Sequence, residues 1–540
     1  MSAGGVSVAL AAALTTSCSV SLPPVTSLRE DVPAACSGVS VKPGDAQSVQ
    51  HALDTHPAGT TFCFIPGLYR FTKSIAPKSA QRLIAPSAGT VLNGSKVVRG
   101  FAASDSGFVA SGFLQGGHAS SRNCIDPNSG CDTPQDVFVD GRPLRRVTAR
   151  SRLAKGTFFE DFQRNQIWLH DDPAGHVVEQ AFATALVESG AGGIVISGFV
   201  VEEAATAAQY GAISALNYAG RGWRIERNTI QNNHAAGILL GPRDHAQGGS
   251  VVAYNRILGN GQEGITGYGS GHIVTANEIA RNNRVGYSCY WECGGAKFGA
   301  GSGLETENLS VTKNDVHDNY GDGLWVDINS YNVTFAGNRI VRNEQTLPGS
   351  AQRIGAGILV EISDRAHVTN NDVEDNGPAG TYDDQASYYQ GAQILISATA
   401  NVAVENNRVA GAGGIGMLQQ DRPDSCRFGA SHLRSYPDGT PVCPQRYRDH
   451  DIHWTHDNAI HGNHVEETVA PGYAEAAGLD CDLRNDAVAF SPRNANLYDR
   501  NTYRLKEIRG SYFSWKNRLN ASQAWRAFGQ DARSRFLPSP

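Results

Sequence analysis

The hexapeptide N-x-[IV]-x-x-N recurs through the chain: NTIQNN at Asn228, NRILGN at Asn255, NEIARN at Asn277, NDVHDN at Asn314, NRIVRN at Asn338, NDVEDN at Asn371 and NAIHGN at Asn458, with a partial copy, NRVAGA, at Asn407. A fixed internal repeat restricts a chain to architectures in which each unit buries its apolar face against the next copy. The shortest interval, Asn255 to Asn277, is 22 residues, which suits one turn of short strands and tight bends. Longer intervals read as loop insertions. No leucine-rich consensus and no helix-period apolar stripe accompanies the repeat. One asparagine per turn is expected to bond its copy in the next turn, satisfying polar groups that a bend would otherwise bury unpaired. The valine or isoleucine two positions later fills the interior, and a glycine after most copies opens a short apolar strand, as in GILL at Gly237, GLWVDI at Gly323 and GILVEI at Gly357.

The repeat therefore predicts an all-β chain, a right-handed parallel β-helix with neighbouring coils about 4.8 Å apart. Composition agrees: 60 glycines and 18% charged residues in 540 describe a turn-rich β protein. A net charge of −6 and the absence of a Lys/Arg cluster argue against a nucleic-acid partner. The motifs TTFCFIPGLYRF (60–71), IAPKSAQRLIAPSAGTVLNGSKVV (75–98), WECGGAKF (291–298), GDGLWVDIN (321–329), GILVEIS (357–363), GIGMLQQDRP (414–423) and NLYDRNTYRL (496–505) resemble those of the pectate-lyase-like right-handed parallel β-helix repeat proteins, and more narrowly a secreted bacterial set. The resemblance implies the fold over most of the chain. It leaves activity open among lyases, hydrolases, epimerases and members without assigned chemistry.

Residues 1–24 read as a signal peptide or lipoprotein leader, with an apolar run from Val6 to Leu14 too short to span a bilayer. Cys18 offers lipid anchoring as an alternative to full release. Residues 25–99 are expected to form an N-terminal cap and first coils, with a helix in AQSVQHALDTH. Residues 100–190 read as a small inserted β subdomain with a hairpin at FQRNQIWL, 191–505 as the main β-helix, and 506–540 as the closing element around Trp525. No later segment is apolar enough for a transmembrane helix, and a monomer is expected. The ten cysteines fit disulfides in an oxidising compartment better than zinc: Cys124 with Cys131, Cys289 with Cys293, Cys426 with Cys443, and Cys36 near Cys63, leaving Cys481 as the odd thiol once Cys18 is removed.

Alternation in GLWVDIN sends Leu324, Val326 and Ile328 to the core and Trp325 and Asp327 outward; GILVEIS likewise turns Glu361 outward. Asp327 lies eleven residues before Asn338 and Glu361 ten before Asn371, so the two are predicted to be neighbours on adjacent coils in one solvent-lined row. Lys297 in GGAKF is expected to join that row, with Glu292 upstream. Asp327, Glu361, Lys297 and Glu292 are the candidate catalytic residues. Trp325, Trp291 and Tyr290 offer flat faces to sugar rings, and Asp322, Gln420 and Arg422 complete the candidate substrate-binding set. The rival reading is a solvated sheet face with charges paired across coils. Metal ligation is not expected in the histidine-rich RDHDIHWTHDNAIHGNH.

Three functions follow. The first is an exported carbohydrate-active enzyme hydrolysing a polysaccharide along the β-helix with a carboxylate pair. The second is β-elimination on a uronic-acid polymer with Lys297 as proton acceptor. No cofactor is required by the first; calcium is the cation that the second could use. The third is a non-catalytic glycan-binding or adhesion solenoid.

Overall fold

The computed structural model describes residues 36–114, 121–215, 219–242, 248–289, 291–299, 305–346, 353–377, 392–419, 455–472, 475–481, 489–491 and 495–539. Three long sheets run side by side. The first starts at Val39–Val41 and ends at Leu497–Asp499, the second runs from Gly67–Arg70 to Arg535–Pro538, and the third from Val187–Ser189 to Leu519–Ala521. Pairing is parallel and in register, apart from the antiparallel last pair of the third sheet. Ile273–Thr275, Glu278–Ala280 and Gly294–Phe298 make up one coil. The repeat thus builds the right-handed parallel β-helix expected of it.

The interior is a single stack of aliphatic residues, including Ile225, Ile230, Ile238, Val274, Ile279 and Ile340. Each fully buried valine or isoleucine contributes roughly 1.5–3 kcal/mol over an exposed one. The predicted helix forms at Ala46–Thr55, where Asp45 accepts a 2.9 Å bond from the Ser48 amide, and it buries Ala46, Val49 and Leu53 in this core. Two small sheets interrupt the coils. One carries Ser95–Val98, Val137–Val139 and Val178–Ala181; the other holds the expected hairpin, Thr157–Asp161 with Gln166–Leu169. They enclose an apolar cluster of their own around Val98, Phe158, Ile167 and Leu169.

Asparagine stacking is present twice. Asn228, Asn255, Asn277, Asn314, Asn338, Asn371 and Asn407 each donate from Nδ2 to the Oδ1 of the next. The last asparagine of the hexapeptide forms a second ladder, Asn233, Asn260, Asn282, Asn319, Asn343 and Asn376, which ends on Gln393. The expectation of one ladder per coil is corrected: the hexapeptide spans a short strand of the second sheet with a corner at each end. The copy at Asn458 is also out of step, because Asn407 bonds Asn463 and the strand Ala459–His461 lies in the first sheet.

Glycine opens several strands of the third sheet, among them those at Gly264 and Gly323, for a specific reason. A Cβ on Gly264 would meet Ile279 Cγ2 at 2.8 Å and Asn282 Nδ2 at 3.0 Å, and one on Gly323 would meet Ile340 Cγ2 at 2.8 Å. The glycine presses inward against the ladder and the core, and the next residue also faces inward. The residue before it is turned out.

Disulfides join Cys36–Cys63, Cys124–Cys131 and Cys289–Cys293; Cys426 and Cys443 lie outside the described residues, and Cys481 is buried. The three bridges fit an oxidising, extracytoplasmic setting. Among the described residues no helix is long and apolar enough to cross a membrane.

Candidate active site on the outer face of the third sheet

The outer face carries three columns of side chains rather than one. The strand register aligns Thr266, Lys297, Trp325, Leu359 and Leu395 in the middle column. Two positions further along each strand, the same register continued sets Asp327 beside Glu361, which pairs with Ser397. The third column comes from the residues before the corner glycines, Glu263 and Asp322. Asp327 and Glu361 are therefore neighbours on adjacent coils, as the ladder count requires. Lys297 belongs to the middle column, two residues off the predicted row, and reaches Asp327 through the length of its side chain.

The row is not solvent-lined, and that expectation is corrected: Asp327 is 5% exposed and Glu361 1%. Ile328 also departs from prediction, being only half-buried, because the strand ends at Val326. Trp325 faces outward as alternation demands but is 3% exposed, packed with Leu359, Leu395, Leu418, Ala356 and the Cys289–Cys293 bridge. The packing reason for this indole is a second apolar cluster outside the sheet. Its open stacking face is lost: the Lys297 ammonium lies 3.8 Å from the ring centroid.

Lys297 is the hub. Its Nζ is 3.0 Å from Glu292 Oε1, 3.0 Å from Asp327 Oδ2 and 3.5 Å from the Trp291 carbonyl, which uses its three donors. Burial alone would lower its pKa, but Glu292, Asp327 and Glu263 outweigh burial and raise it above the usual lysine value. Glu292 also accepts from Gln209 Nε2. Its loop is fixed by bonds from Ser288 N to Asn123 O (2.7 Å), Ile125 N to Gly286 O (3.0 Å) and Gln345 Nε2 to Tyr287 O (2.7 Å). Trp291 stays half-buried on that loop, its ring 6.0 Å from Tyr287. Tyr290, Gln420 and Arg422 lie outside the described residues.

Asp322 is wholly buried. Its Oδ1 accepts a 2.6 Å bond from the Ala356 amide, and Oδ2 has no partner among the described residues. Burial, reinforced by Glu361, pushes its pKa up to about 7 against the pull of the Ala356 amide and Lys297. Glu263, which the sequence reading missed, is 0% exposed. Burial and Glu292 hold its pKa well above the usual carboxyl range, against Lys297 and a hydrogen bond from the Thr266 side chain. The signal that finds both is an acidic residue directly before a corner glycine, as in QEGITG and GDGLWV.

A carboxylate oxygen of Asp322 and the sulfurs of Cys289 and Cys293 lie within 4.8 Å of one another. The sulfurs are joined in a disulfide, so this group offers no thiolates to a metal.

Residues 213–409 match the family model described as the right-handed β-helix region. A search of curated proteins gave no match. Among solved structures the chain is similar to the A-module of the Azotobacter vinelandii mannuronan C-5 epimerase AlgE4 (11% identity, TM-score 0.43, covering 91% of this chain and 99% of that one). It is also similar to a periplasmic alginate epimerase AlgG (12%, 0.40, 86% and 83%) and to a protein titled glycoside hydrolase (9%, 0.37, 92% and 96%). At these scores the likenesses carry no argument about activity. Architecture and family model together define a right-handed parallel β-helix.

Proposed function

We propose that the protein is an exported carbohydrate-active enzyme that hydrolyses a polysaccharide laid across the outer face of the third sheet, with Asp322 as general acid and Glu361 as its carboxylate partner. The observation that carries this reading is that one face holds two carboxyl groups whose surroundings differ, with Asp322 pushed up to about 7. Acid and base roles are divided among carboxyls by such differences of environment. Asp327 gives up the acid role to Asp322 because it is committed to Lys297 at 3.0 Å. Asp322 and Glu361 flank the middle column occupied by Trp325 and Leu359. The separation of the two carboxyl groups decides between the wide spacing of inverting enzymes, about 6.5–9.5 Å, and the about 5–5.5 Å of retaining ones.

The elimination reading loses ground on the same geometry. An ammonium ion-paired to two carboxylates and held above the ordinary lysine value is a poor proton acceptor at neutral pH. It also occupies the centre of the carboxylates, where a calcium ion would need them. The non-catalytic reading has one observation in its favour, the burial of every member of the row. Hydrolysis requires the cover over that row to part for substrate.

A polysaccharide panel read by reducing ends and by ultraviolet absorbance separates the three. Reducing ends without an absorbing product, reduced about 10²–10⁴-fold in Asp322→Asn and Glu361→Gln, are expected. An absorbing unsaturated product would replace hydrolysis by elimination. Glycan binding unchanged in both variants, with no cleavage by the wild type, would leave an adhesion solenoid.

A further inference from the structure

The middle column of the outer face changes character towards its C-terminal end. From Ser214 through Thr266, Lys297 and Trp325 to Leu395 its residues are at most 5% exposed. The next position is Gly416, which is half-buried, followed by Gly478 and Ser514. A glycine inside a strand weakens it, and it marks a bulge, a bend, a close approach of another backbone or a ligand. The first three are absent at Gly416 among the described residues. Its strand, Ile415–Gln419, keeps unbroken register with Ile394–Ser397 and with Ala477–Cys481, and its φ lies outside the left-handed region that Gly411 and Gly413 occupy. A Cβ built on it would meet, among the described residues, Leu395 Cδ1 at 3.5 Å and Ala392 Cβ at 3.7 Å, ordinary contacts that leave room for alanine.

Gly478 has a reason of its own. Glu475 Oε2 stands where its Cβ would be, so this glycine lets the Glu475 side chain fold across the strand. There Glu475 hydrogen-bonds Asp480, which is held in turn by Ser514 Oγ (2.6 and 2.8 Å to its two oxygens) and by the Asn517 amide (2.7 Å). Gly416 is therefore the floor of a slot one coil wide. Leu395 and Ala392 wall it on one side and the Glu475 carboxyl stands on the other, with neighbouring coils about 4.8 Å apart. A sugar ring fits such a slot: its C–H face packs on the apolar wall and the bare peptide, and a hydroxyl bonds the fixed polar edge.

We propose that this slot is a binding subsite for one pyranose ring of the polysaccharide, seated on Gly416 with a hydroxyl on Glu475. It lies two coils beyond Glu361, about 10 Å along the column. The inference rests on reading this face as a polysaccharide groove.

The test runs the full chain through native gels holding xylan, mixed-linkage β-glucan, galactomannan or polygalacturonate, with the melting temperature measured beside it. The wild type is expected to be retarded by at least one of these polymers. Gly416→Ala should bind that polymer severalfold more weakly and Gly416→Leu at least tenfold, while Gly416→Ala keeps or raises the melting temperature because alanine suits a strand better. Glu475→Ala removes the polar edge and leaves Asp480 with Ser514 and Asn517; it should weaken binding severalfold, and it decides alongside Gly416→Ala should Gly416→Leu fail to fold. No retardation of the wild type, unchanged binding in the Gly416 variants, or a lowered melting temperature in Gly416→Ala, which would make the glycine structural, would overturn the proposal. Reducing-end release is scored separately. Cleavage and binding that both survive filling of the slot sink the subsite and spare hydrolysis, whereas binding lost on filling it, with no cleavage by the wild type, does the reverse.

Discussion

The asparagine ladders and the Lys297 cluster are both buried polar arrays built on the same coils, and they handle hydrogen bonding in opposite ways. In the first ladder Asn314 donates to Asn338 Oδ1 and to the Val274 carbonyl, each at 3.0 Å, and accepts from Asn277 at 3.0 Å, so both ends of the amide are used. In the cluster, Lys297 and its two carboxylates are satisfied, while one oxygen of Asp322 and the Trp325 N–H have no partner among the described residues. Stacked identical amides satisfy one another at any length, so the ladder is complete in itself. The cluster mixes an ammonium, carboxyls and an indole and leaves two of its polar atoms open among the described residues, which marks it as a place where something beyond folding sets the residues.

The largest test of that contrast is Lys297→Met. It leaves Glu292 and Asp327 buried without their cation, and equilibrium denaturation at pH 7 should show a loss of about 3–5 kcal/mol. Asn314→Leu comes next, orphaning Asn277 on one side and Asn338 on the other, with an expected loss of about 2–3 kcal/mol. The smallest change separates the arrays best: Asp322→Asn should alter stability by no more than about 1 kcal/mol at acidic pH and remove a slope. Because the folded pKa of Asp322, about 7, stands above its ordinary 3.8, its contribution is fully present below about 4 and is lost as pH rises through about 7. The wild type should therefore lose stability relative to Asp322→Asn across that interval. Parallel curves would mean that Asp322 is as settled as a ladder amide.

Much of this was legible in the chain. The ladder hexapeptide carried the fold, and counting from it placed Asp327 beside Glu361. Alternation correctly turned Trp325 outward. Two physical effects hid the rest. Period-two alternation fails at a corner, where Gly264 and Gly323 and the residues after them both face inward, so Glu263 escaped a rule that works only within a strand, and Asp322, though named for substrate binding, was not assigned its column by it. Burial of the row was illegible because it comes from groups distant in sequence, such as Leu395 and Leu418 against Trp325. Lys297 was misplaced by two positions because a long side chain can serve a column it does not start from.

The inward press of the corner glycines has a consequence for how such a chain can change. Each coil that carries a corner glycine turns a fixed trio of addresses toward this flank, one ahead of the glycine and two beyond it, and none of the three takes part in the aliphatic stack. New chemistry can be written there one letter at a time, rung by rung, without rewriting the spine that holds the page.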